Sequence, residues 1–92
     1  MIHLTDQHMV YKYKLSGTEY TQPVSITMPM DSQIVSVAEQ DGDIFIWAVV
    51  DPNWQPWGIR KFRIVGTGDG VAGHYVGTVH SPSGFVWHII EV

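Results

Sequence analysis

The 92-residue chain contains no cysteine. That removes a disulfide framework, a thiolate nucleophile and a thiolate zinc site, so stability has to come from packing. Positive charge is also scarce: five Lys and Arg stand against nine Asp and Glu, a formal net charge of −4. A general binder of double-stranded nucleic acid needs the opposite excess, because cations must displace the counterions of the phosphates. Long apolar runs are missing; the longest, Ile44 to Val50, has seven residues where a membrane helix needs about 20. Helical periodicity is missing too, with no stretch of a dozen residues carrying apolar positions at i, i+3, i+4 and i+7. Met1 to His8 has neither a positive cluster nor a continuous apolar stretch, so it does not read as a secretory signal and the cytoplasm is the expected compartment.

What is present is a succession of short β-branched and aromatic runs between turn signals, in a chain of 45% hydrophobic residues with length for one domain, 1–92. Residues 1–9 form an extended or loose leading segment. Val10 to Leu15 alternates, with Tyr11, Tyr13 and Leu15 on one face and Lys12 and Lys14 on the other. Val24 to Met28 alternates likewise and stops at Pro29. Gln33 to Gln40 and Asp43 to Val50 flank Asp41-Gly42, a pair suited to a two-residue hairpin turn. The second arm is apolar on both faces, as a central strand covered on each side by other strands or by a partner subunit would be. Asp51 to Gly58, with two prolines, a glycine, Trp54 and Trp57, reads as a loop. Arg60 to Val65 resumes the strand pattern, Gly66 to Gly73 is a glycine-rich flexible connection, and His74 to His80 with Gly84 to Val92 closes the series around Ser81 to Gly84. The expected fold is all-β: a small antiparallel β-sandwich or partly open barrel of about seven strands. Such a short chain has a thin stability margin, so aromatic burial against a second copy is expected, giving a dimer or higher homo-oligomer.

Charge placement is uneven. All five basic residues fall in two expected strands, as Lys12 and Lys14 and as Arg60, Lys61 and Arg63. If those strands are neighbours, four cations converge in an otherwise acidic protein and form a place for a small polyanion. The alternatives are the solvated side of amphipathic strands or lysines guarding a sheet edge. Trp54 and Trp57 either fold back over the core or stack on a ligand or partner. Together Lys12, Lys14, Arg60, Lys61, Arg63, Trp54 and Trp57 make the candidate ligand site. Gly66 to Gly70 is not a nucleotide loop, since no helix and no Lys-Ser/Thr pair follows it. Five scattered histidines lack metal-ligand spacing, and Ser81, Ser83 and His88 lack the orienting acid of a hydrolase. Neither catalytic residues nor a cofactor is expected.

The strand residues also resemble a family. Val10 to Leu15, Ile34 to Gly42 with Ile46 to Pro52, Phe62 to Gly68, Tyr75 to Val79 and Gly84 to His88 are similar to small uncharacterised proteins carried by tailed bacteriophages and prophages. The resemblance implies an accessory protein in the cytoplasm of an infected bacterium. By analogy with phage proteins that counter host defence, it implies an oligomer that captures a nucleotide-derived signal without cleaving it. The alternative is a protein-interaction module that blocks a host protein or serves in the virion.

Overall fold

The structure is a computed structural model and describes residues 2–15 and 22–92. Seven strands are present among them: β1 (Met9–Lys14), β2 (Val24–Pro29), β3 (Gln33–Gln40), β4 (Asp43–Val50), β5 (Trp57–Gly66), β6 (His74–His80) and β7 (Val86–Glu91). They form two antiparallel sheets, β1-β4-β3 and β2-β5-β7-β6. The all-β expectation holds, and of its two architectures the chain adopts the sandwich.

Alternation decides what each sheet buries. In β4, Ile44, Ile46, Ala48 and Val50 face inward and are fully covered. In the facing sheet Phe62, Ile64, Val79 and Ile89 do the same, and Leu15 and Met28 complete the core. Burying each of these larger side chains contributes about 1.5–3 kcal/mol, which is the main stabilising term in a chain without disulfides. Asp41 (φ 52°) and Gly42 (φ 86°) take the left-handed conformations of the expected hairpin turn. β4 is indeed central, paired by β1 and β3, but only its inner face is packed by the second sheet; Phe45 and Trp47 on the other face are half-exposed. Ahead of β1, a turn at Asp6-Gln7 is closed by the His8 N–H donating to the Thr5 carbonyl at 3.1 Å.

Two differences from the sequence reading bear on function. First, β5 begins at Trp57 rather than Arg60, so Trp57 and Gly58 belong to a strand. Gly58 reads as a breaker, yet it pairs with Met28, and a Cβ there would stand 2.6 Å from Met30 Sδ. The glycine makes room for a side chain instead of ending the ladder. Second, Gly66 to Gly73 is a crossover. β5 and β6 are each antiparallel to β7, which lies between them, so they run parallel to one another. The connection returns over the outer face of β7: Thr67 Oγ1 lies 2.9 Å from His88 Nε2, and a Cβ on Gly73 would stand 3.1 Å from Ile90 Cγ2. This cover explains why Ile90 is buried although it points away from the core.

Candidate functional site

The seven residues expected to form one site are divided among three places. Lys12 and Lys14 stand on the outer face of the three-stranded sheet, whereas Arg60, Lys61 and Arg63 lie on β5 in the other sheet. β1 pairs only with β4, and β5 only with β2 and β7, so the adjacency needed for four converging cations is not met. Trp54 is in the β4–β5 connection, 46% exposed, with its N–H donating to the Asp51 carbonyl.

Partners then sort the cations by availability. Lys12 donates to Gln40 Oε1 and sits 4.1 Å from the Phe45 ring centroid and 5.7 Å from that of Trp47. It covers the aromatic pair by cation–π attraction. Lys14 forms an exposed ion pair with Asp43 at 3.3 Å. Arg60 has the parity of Phe62 and Ile64 and points inward at the end of the sandwich, where Nε and Nη2 each donate to Glu91 at 2.7 Å. Its Nη1 donates to the Ser32 carbonyl, which ties β5 to β7 and to the β2–β3 turn. Hydrogen bonding to Glu91 raises the Arg60 pKa above its ordinary value, outweighing the lowering by burial, and the charge of Glu91 adds to the rise. Arg60 is thus a structural clamp, committed to a carboxylate inside the fold and not offered to a ligand.

Lys61 and Arg63 differ from the other three. Neither cationic group has a hydrogen-bond or ion-pair partner among the described residues, and Arg63 Nε is buried without one. Both project from the outer face of β5, in line with Trp57 and Ile59, which are 42% and 62% exposed. At about 3.3 Å rise per residue, Trp57 to Arg63 makes a stripe about 20 Å long, apolar at one end and cationic at the other. Thr27 stands beside Ile59 and Ser25 beside Lys61 on β2, and Ile90 beside Arg63 on β7. By the pairing register, the outward positions of the whole sheet are filled by hydroxyl, apolar, cationic and histidine residues, with no carboxylate among them. Lys61 and Arg63 therefore have no carboxylate beside them in register on this face of a net-acidic molecule.

Sequence reasoning missed Ile59 and placed Trp57 in a loop instead of on the strand of Lys61 and Arg63, because Pro56 and Gly58 punctuate the segment. The period-two spacing 57, 59, 61, 63 is the signal that joins them once the strand is known to begin at Trp57. It also missed a polar network past Ile90, where the Tyr75 hydroxyl bonds His88 Nδ1 at 2.6 Å and Thr78 Oγ1, while His88 Nε2 meets Thr67. Ser81 is engaged separately, with Ser83 at 2.8 Å and Glu39 at 3.4 Å, so it does not pair with His88. Among the described residues no group of three or more His, Cys, Asp or Glu is placed to hold a metal ion, and no helix is long and apolar enough to cross a membrane.

These features define a class: a small two-sheet β-sandwich with a parallel crossover in its larger sheet. The chain belongs to the family described as a domain of unknown function, DUF7352, which it matches over residues 6–92. No curated protein and no solved structure matches it.

Proposed function

We propose that this domain is a non-catalytic binding module that engages a protein partner through the outer face of β5. The observation that supports this reading is the stripe of Trp57, Ile59, Lys61 and Arg63, exposed in its first three residues and, among the described residues, unpaired in its two cations. Side chains standing in parallel on a strand make a surface, and a surface of aromatic anchor plus cationic rim suits a protein with apolar and acidic groups. Burying an indole in such a contact is worth about 2 kcal/mol or more, and the cations steer the encounter.

A second reading, capture of a small anionic nucleotide, draws on Arg63, whose buried Nε has no hydrogen-bond partner. There the guanidinium pairs with a phosphate and Trp57 stacks on a base. The resemblance of the strand residues to phage proteins supports reading either event in an infected bacterial cytoplasm, the first as inhibition of a host protein or a virion contact, the second as sequestration of a defence signal.

The test is a titration of the protein with a labelled peptide of glutamate and tryptophan, beside calorimetry with cyclic and ADP-ribose-type nucleotides. The peptide should bind, weaken with salt, and lose binding when Lys61→Glu and Arg63→Glu are combined. Equal binding by that double variant removes the β5 face as the site. Nucleotide heat that disappears in Arg63→Ala, with no peptide binding, transfers the function to the second reading.

A further inference from the structure

A sheet edge exposes a row of unpaired backbone N–H and C=O groups, and proteins ordinarily block it with charge, bulges or cover. The sandwich has four such edges: β1 and β3 in one sheet, β2 and β6 in the other. β1 carries Lys12 and Lys14. β3 is interrupted by a bulge between Ile34 and Ser36, and β6 by one between Tyr75 and Gly77. Among the described residues β2 carries neither a charge nor a bulge. From Val24 to Met28 it is uncharged and pairs with β5 in unbroken register, and its far edge meets no described strand. Pro23 precedes this stretch and Pro29 ends it, and between them the backbone N–H and C=O groups of alternate residues point to the edge away from β5. Val24 and Ile26 face the core yet remain half-exposed, as apolar residues awaiting a neighbour on that side.

We infer that the free edge of β2 accepts an extended segment of a partner protein as an additional strand, with apolar residues on its inner face and acidic residues on its outer face. The inference rests on the reading of β5 as the contact surface and names the partner's chemistry. An added strand lies two strand spacings, about 10 Å, from β5. Its outward residue opposite Ser25 is then separated from Lys61 only by that small side chain, since Ser25 and Lys61 are register partners. A lysine and a glutamate reaching over a serine close the gap, and Arg63 stands two residues further along the same face. The inward residues cover the open flanks of Val24 and Ile26. A second copy of β2 offers only Ser25 and Thr27 on its outward face and gives Lys61 no anion. Charge complementarity thus favours an acidic partner strand.

A seven-residue peptide alternating valine and glutamate is the probe, used against the full chain. Binding should slow amide exchange of the outward-facing N–H groups of β2 by about tenfold at saturation. Lys61→Ala should weaken binding by about fivefold, the scale of an exposed ion pair. The same peptide N-methylated at alternate residues keeps its side chains but cannot complete the ladder, and should bind about tenfold more weakly or not at all. If the methylated peptide binds as well as its parent and still depends on Lys61, the strand pairing is wrong while the β5 contact stands. If neither peptide binds, or if lysine replaces glutamate without loss, the inference fails. Protection of β2 that grows with protein concentration in the absence of peptide assigns the edge to a second copy and also overturns it.

Discussion

Arg60→Ala tests the distinction between a cation committed to the fold and a cation free for a partner. In the native protein the guanidinium makes two bonds of 2.7 Å to Glu91 and a third to the Ser32 carbonyl. Its side chain is 15% exposed and that of Glu91 is 23% exposed. Removing one partner of a fully buried pair costs about 3–5 kcal/mol, mostly by stranding the other charge. Residual exposure lets water reach Glu91, so the expected loss is about 2–3 kcal/mol. For a domain of this size that lowers Tm by about 10–20 °C. Lys14→Ala, which breaks a pair exposed at 55% and 39%, should cost no more than about 0.5 kcal/mol. Urea unfolding of Arg60→Ala, Glu91→Ala and the double variant gives the coupling directly, with about 1.5 kcal/mol or more expected. A coupling below about 0.5 kcal/mol, or equal losses for Arg60→Ala and Lys14→Ala, would refute the clamp and return Arg60 to the pool of available cations.

Two further outcomes follow from the packing. A Cβ on Gly77 would stand 2.7 Å from Val37 Cγ2, so Gly77→Ala should lower stability by about 1–3 kcal/mol in urea unfolding. Adding Val37→Ala should recover part of that loss, and no recovery would mean that the β3–β6 approach is not its source. Burial first, and the neighbouring Tyr11 second, raise the Tyr13 pKa above that of an ordinary phenol. The folded state therefore holds its proton more tightly, and stability that is complete below about pH 10 declines as pH rises through the folded value. Melting curves from about pH 8 to about pH 11.5 should show a shallower alkaline decline in Tyr13→Phe, and parallel declines would remove Tyr13 as a cause.

Legibility differed along the chain for physical reasons. The β3–β4 hairpin could be read because Asp41-Gly42 is a local device whose backbone angles do not depend on distant contacts. The start of β5 could not, because Gly58 reads as a breaker until Met30 is seen to occupy the space that a side chain would fill. The glycine-rich segment 66–73 gave no hint that it crosses β7, since the parallel course of β5 and β6 is fixed only by the later arrival of β7 between them. As for the site, alternation placed Lys61 with Arg63 correctly on one face, but ion-pair partners lie far away in sequence: Glu91 is 31 positions from Arg60.

The sequence by itself determined an all-β domain of about seven strands and which residues of a strand share a face, because side-chain parity is a property of each strand alone. Tertiary structure decided which strands became neighbours. Sheet order is set by contacts between distant segments, and it separated Lys12 and Lys14 from β5, enclosed Arg60 with Glu91, and left Lys61 and Arg63 in line with Trp57 on an open face.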